Sequence, residues 1–169
     1  WAGQKSLEWM TAKSEKIRFL TDEQGDGVFA KSKMFDDQFN DVLDGTGAGV
    51  MAWDDNVYFA CIPRIWMLQD AKQDGTEGQR KVLQDGFGVR ISLSGHDMNG
   101  FAIGYDGRVW GTIGDRGFNI VTKEGKKYDS RNRGAVFRFE PDGSNFEVVH
   151  FGLRNPKEIA FDDFGNGIR

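Results

Sequence analysis

A strand, an Asp-Gly turn and a second strand recur along this chain at a fixed distance, and that recurrence limits the folds open to it. Ile17-Arg18-Phe19-Leu20, Gly25-Asp26-Gly27 and Lys33-Met34-Phe35 are matched 48 residues later by Ile65-Trp66-Met67-Leu68, Gln73-Asp74-Gly75 and Lys81-Val82-Leu83. A shorter third copy is Val136-Phe137-Arg138-Phe139, Pro141-Asp142-Gly143 and Glu147-Val148-Val149. Each copy predicts two antiparallel strands, because Asp-Gly supplies the positive φ that a tight hairpin turn requires.

A second unit alternates with the first. Gly49-Val50-Met51-Ala52-Trp53, Asp55-Asn56 and Val57-Tyr58-Phe59 resemble Gly100-Phe101-Ala102-Ile103-Gly104, Asp106-Gly107 and Val109-Trp110, and Ile159-Ala160-Phe161 with Phe164-Gly165-Asn166 begins a third. An inner hairpin followed by an outer hairpin makes a four-stranded sheet, and a repeat of roughly 40 to 50 residues of that kind predicts the blades of an all-β propeller. The polar stretch from Phe118 to Arg133, rich in Lys, Arg and Gly, lengthens one repeat and predicts a loop at one end of its blade.

Composition fits many short strands with an aromatic core: the 169 residues include 14 Phe, 5 Trp and 23 Gly, the glycine share being about twice the usual ~7%. A formal charge of −4, with both signs interspersed, gives no basic field for nucleic acid. No apolar run approaches the ~18 residues of a membrane span. The chain starts at Trp1-Ala2-Gly3 with no secretory h-region and stops within a predicted inner hairpin at Gly165-Asn166-Gly167-Ile168-Arg169. The expectation is a fragment: residues 1–13 as an extension or a strand of a preceding blade, and residues 14–169 as a partial propeller of about two to three blades, truncated at the C-terminus.

The chemistry concentrates in Gly95-His96-Asp97-Met98-Asn99-Gly100 and Ile113-Gly114-Asp115-Arg116-Gly117. A histidine stands just ahead of one strand, and the next strand returns a carboxylate toward it, which offers a base and an orienting partner. A plainer reading stays open for each residue. His96 would be a structural hydrogen-bonding residue, and Asp115 would cap its turn. Arg154-Asn155-Pro156 would be a connecting loop in which Arg154 pairs with a nearby carboxylate.

Other candidates are quickly placed. Cys61, the single cysteine, excludes an internal disulfide and reads as a small buried hydrophobe. The chain holds no Cys-x-x-Cys-His, so no covalent haem site. Asp22-Glu23-Gln24-Gly25-Asp26-Gly27 lacks the bidentate Glu that closes a calcium loop and reads as a turn. His150 sits in an alternating strand pattern and takes no role. No metal ligands are assigned within the chain.

The run Asp44-Gly45-Thr46-Gly47-Ala48-Gly49-Val50, the segment from Gly86-Phe87-Gly88-Val89-Arg90 to Gly95-His96-Asp97, then Ile113-Gly114-Asp115-Arg116-Gly117, Arg133-Gly134-Ala135-Val136-Phe137-Arg138 and Gly152-Leu153-Arg154-Asn155-Pro156-Lys157-Glu158-Ile159-Ala160-Phe161 together carry a resemblance. They resemble the propeller of large secreted dehydrogenase-like proteins of planctomycetes and verrucomicrobia, often fused to a cytochrome c domain. These in turn are similar to the six-bladed soluble sugar dehydrogenases that use pyrroloquinoline quinone (PQQ). The resemblance implies His96 as general base with Asp115 as its support, and Arg154 and Asn155 as contacts to the quinone. It also implies oxidation of a sugar or other alcohol, electrons passed to a cytochrome c domain or partner carrying the haem, and a periplasmic or secreted location. The calcium ligands and the basic residues holding the quinone carboxylates would lie beyond Arg169. The chain departs from the sugar dehydrogenases where they carry a Gly-Leu-Leu-Gly type segment and a glutamine: here the residues are Gly47-Ala48-Gly49-Val50-Met51-Ala52.

Two other functions stand beside oxidation. A non-catalytic propeller would bind carbohydrate or hold domains together, with His96 and Arg154 as structural or ligand contacts. A lactonase-like hydrolase would need a central calcium with acidic and amide ligands from several blades, a set the central residues here do not resemble.

Overall fold

The computed structural model describes residues 8, 15–70, 72, 74–75, 78–88 and 95–168. Residues 1–13 (apart from residue 8), Gln73 and the Val89-Arg90 pair, each part of a sequence expectation, lie outside the described residues.

The described elements are all β. In chain order they are β1 (Glu15–Thr21), β2 (Lys31–Phe39), β3 (Gly47–Trp53), β4 (Asn56–Cys61), β5 (Arg64–Gln69), β6 (Arg80–Asp85), β7 (Met98–Ile103), β8 (Val109–Ile113), β9 (Asn119–Val121), β10 (Lys127–Asp129), β11 (Gly134–Phe139), β12 (Glu147–Leu153), β13 (Ala160–Phe161) and β14 (Gly167–Ile168). Every pairing between these strands is antiparallel. Two four-stranded sheets form, β3-β4-β5-β6 and β7-β8-β11-β12, flanked in sequence by the two-stranded pairs β1-β2 and β13-β14.

The repeated sequence segments are the paired strands. Ile17 to Leu20 lies on β1 and pairs with β2, and its counterpart Ile65 to Leu68 lies on β5 and pairs with β6. Gly27, Gly75 and Gly143 all take positive φ at the turns. The aspartate that opens each turn is held by the backbone. The Asp22 carboxylate accepts the amides of Gln24, Gly25, Asp26 and Gly27 at 2.8–3.3 Å, and the Asp70 carboxylate accepts those of Asp74 and Gly75. The Asp22 loop is therefore built as an Asx turn, with its carboxylate spent on local amides.

Strand β4 is buried on both faces, and its period of two divides it between two cores. Val57, Phe59 and Cys61 join Ile17, Phe35, Phe39 and Leu68, where the β1-β2 hairpin covers the first sheet. Tyr58, Ala60 and Ile62 turn the other way into a cluster with Phe87, Met98, Ile113, Phe118 and Phe137, between the first sheet and the second. The sheets thus stack face to face in chain order. Where β3 meets β7, a Cβ on Gly49 would clash with the Asn99 carbonyl oxygen. Cys61 is fully buried, and its burial pushes the thiol up to about 12, so it behaves as the small apolar residue expected of it.

The stretch from Phe118 to Arg133 is more than a loop. It contains the hairpin β9-β10, with Phe118 and Ile120 fully buried in the inter-sheet core. Phe118 bridges to Phe87, the Asn119 amide donates to the Gly86 carbonyl at 2.9 Å, and the Gly88 amide donates to the Gly117 carbonyl at 2.6 Å. Polar composition hid this: two apolar residues at alternating positions suffice to dock a short hairpin, too few to register as a periodic strand.

Candidate functional site

Three chain segments meet at the end of the second sheet. The first is Gly95 to Asn99, leading into β7; the second is Gly114 to Gly117, leaving β8; the third is Arg154 to Lys157, leaving β12. Backbone hydrogen bonds tie them together. The Gly114 amide donates to the Asp97 carbonyl (3.1 Å), the Asp115 amide to the Arg154 carbonyl (2.7 Å), the Arg116 amide to the His96 carbonyl (3.3 Å) and the Gly100 amide to the Lys157 carbonyl (3.1 Å). Gly114 has to be glycine for this approach, because a Cβ there would lie 2.5 Å from the His96 carbonyl oxygen and 2.7 Å from Asn155 Oδ1.

On this frame His96 Nδ1 lies 2.7 Å from Asp115 Oδ1. An ionised carboxylate only accepts, so Nδ1 carries the hydrogen and, in the neutral ring, Nε2 keeps its lone pair. The His96 side chain is 15% exposed against 38% for Asp115, which leaves the imidazole shielded while its partner stays wetted. Asp115 does not cap its own turn with its carboxylate. The Gly117 amide closes that turn on the Gly114 carbonyl at 3.0 Å, and the carboxylate takes the imidazole instead.

His96, Asp115, Arg116, Asn132 and Arg154 line an open cleft of about 380 Å³. The guanidinium groups of Arg116 and Arg154 have no side-chain or carbonyl partner among the described residues, so Arg154 is not the half of an ion pair that the plainer reading required. Asn155 does not line this cleft. Its Oδ1 turns inward, next to Gly114 and 3.5 Å from Asn99 Nδ2. The structure therefore brings His96, Asp115 and Arg154 to one cleft and seats Asn155 behind it.

Two residues that the motif reading passed over shape the site. Asn99, 8% exposed, is its hub: Nδ2 donates to the Asp97 carbonyl (3.0 Å) and the Pro156 carbonyl (2.8 Å), joining the His96 segment to the Arg154 segment. Lys157 closes the same junction, its Nζ donating to the Gly95 carbonyl at 2.8 Å and to Asn99 Oδ1 at 3.4 Å. Asp97 is 3% exposed, and neither of its carboxylate oxygens has a hydrogen-bond partner among the described residues. A Cβ on Gly88 would lie 3.1 Å from Asp97 Oδ1, so this carboxyl points into the seam between the sheets, away from the cleft. The available signal was a polar pair, Asp97 and Asn99, flanking an apolar residue at the start of a strand.

Among the described residues no group of three or more His, Cys, Asp or Glu side chains is arranged to hold a metal ion, and no helix is long and apolar enough to cross a membrane. No curated protein matches the chain significantly. A family model matches residues 3–168, and the chain belongs to that family, described as a domain of unknown function, DUF7133.

Proposed function

We propose that this chain is part of a six-bladed β-propeller of the PQQ-dependent sugar dehydrogenase type, and that its cleft oxidises an alcohol with His96 as general base. The propeller reading draws support from the two four-stranded antiparallel meanders, stacked face to face in chain order, with hairpins of the same repeat before and after them. The observation that carries the reaction is the 2.7 Å contact between His96 Nδ1 and Asp115 Oδ1 at the edge of a cleft that also holds Arg154.

The donor chemistry of the cleft suits an anionic, carbonyl-rich quinone: the Arg154 guanidinium fork and the Asn132 amide, with the Asp115 carboxylate already engaged by the histidine. Arg154 would hold it, and Asn155 would seat the Arg154 segment from behind. When bound, PQQ supplies the two-electron acceptor. His96 Nε2 is free to take the hydroxyl proton of the substrate. Asp115 holds the ring in the tautomer that makes this possible and stabilises the imidazolium that results. Export to the periplasm and a cytochrome c electron acceptor complete the proposal and rest on the family resemblance.

The test is a PQQ titration of the full-length protein with calcium, following the quinone spectrum and dye-linked oxidation of a sugar and polyol panel. Saturable binding is expected, with turnover falling about 10²–10⁴-fold in His96→Ala and quinone affinity weakened in Arg154→Ala. A folded protein that binds no quinone would overturn the oxidoreductase reading and leave a propeller used for carbohydrate binding or domain assembly.

A further inference from the structure

The arginines divide into two populations. Arg18, Arg64, Arg80, Arg108, Arg131 and Arg138 are hydrogen-bonded or ion-paired to side chains, and the Arg133 guanidinium lies 5.6 Å from the centroid of the Phe151 ring. The other two described arginines, Arg116 and Arg154, have no such partner among the described residues, and both line the cleft at His96. In a protein of net charge −4 carboxylates are plentiful, so leaving both guanidinium groups unpaired at one place makes that cleft a locally cationic spot on an acidic molecule. Among the described residues lining it, the one carboxylate, Asp115, is committed to the imidazole.

Arg116 is the closer of the two to the base along the backbone. It follows Asp115 directly, and its amide donates to the His96 carbonyl at 3.3 Å. A planar guanidinium with all its donors free matches a carboxylate by two parallel hydrogen bonds. We infer that Arg116 is a substrate-binding residue, that it recognises a carboxylate, and that the alcohol presented to His96 belongs to a sugar acid of the hexuronate class. The choice of an alcohol as the reacting group rests on the oxidoreductase reading above; the recognition of a carboxylate beside His96 stands on the unpaired guanidinium.

The probe pair is D-glucuronate and D-glucose, which share a ring and differ in the carboxylate. Each is titrated calorimetrically into the full-length protein without quinone, in low and high salt. Glucuronate binds at least about tenfold more tightly than glucose, and the preference shrinks with salt. Arg116→Met, which keeps the length of the side chain and removes the fork, weakens glucuronate at least about tenfold while leaving the thermal melt in place. Arg116→Lys restores only part of the affinity, because an ammonium supplies charge without the fork. Equal binding of the two sugars, binding of neither by folded protein, or unchanged glucuronate affinity in Arg116→Met overturns the inference. Displacement of glucuronate by inorganic sulfate at equal affinity overturns the carboxylate assignment and leaves a general oxyanion site. Dye-linked turnover with quinone and calcium is measured separately. Glucuronate binding without any turnover would defeat the oxidoreductase reading and leave carboxylate recognition standing.

Discussion

The two four-stranded sheets start from the same strand order and end differently at one corner. In the first, β4 passes to β5 through Ile62 and Pro63 alone, and the preceding segment sets Asp44 Oδ1 3.0 Å from Arg64 Nη1. In the second, the corresponding passage from β8 to β11 takes residues 114–133, and the preceding segment sets His96 against Asp115. The first corner is closed, its charges matched within the fold. The second is opened by an excursion that carries a turn, a docked hairpin and the Arg116 guanidinium to a cleft that Arg154 also lines. A repeated scaffold thus closes the corner in one copy and, where it departs from the repeat, opens a cleft in the other.

The largest test of this contrast asks whether the excursion is structural or ornamental. Phe118→Ala should cost about 3–5 kcal/mol in urea unfolding, as a fully buried aromatic does. A loss under about 0.5 kcal/mol would make the excursion a surface loop. Next come the charges. Arg64→Met should cost about 3 kcal/mol, because the Asp44 side chain, 3% exposed, loses its buried counter-charge, whereas Arg154→Met should stay within about 0.5 kcal/mol of the parent. Equal losses at the two sites would erase the distinction between a closed and an open corner.

A smaller effect sharpens the geometry. Gly114→Ala should cost about 1–3 kcal/mol, since its Cβ meets the His96 backbone, and the His96 ring ¹⁵N shifts should report loss of the Asp115 contact. An unmoved ring would mean that the three segments tolerate separation there.

The smallest effect is a difference in the sign of a pH dependence. Burial raises the Asp106 carboxyl of the second sheet, but the Trp110 indole N–H, the Arg108 amide and the Arg138 guanidinium outweigh it and hold the group below its ordinary value. A depressed carboxylate contributes stability above its unfolded value and loses it as pH falls through the folded one. Asp106→Asn should therefore cost up to about 1 kcal/mol at neutral pH, with the difference fading from about pH 4 downwards. Asp44 of the first sheet is shifted upward, chiefly by burial and against the pull of the Asp41 amide and Arg64. Its contribution is present below the unfolded value and lost as pH rises through the folded one. Parallel pH profiles for Asp106→Asn and Asp44→Asn would contradict these opposite environments.

Much of this molecule follows from local rules. The repeat from Ile17 to Phe35 and its copy from Ile65 to Leu83 form paired strands, because alternating side chains and Asp-Gly turns act over a few residues and need no distant partner. The pairing of His96 with Asp115 was also legible, since one hairpin brings the start of β7 beside the end of β8. Other features belong to the tertiary structure. Phe118 and Ile120 enter the core only because the first sheet offers them Phe87 and the Gly86 carbonyl. Asn99 becomes a hub only because the Arg154 segment returns from residues beyond β12. Which of the described arginines stay unpaired was decided last and farthest from the sequence pattern, because a guanidinium finds its carboxylate through space and every arginine looks alike along the chain.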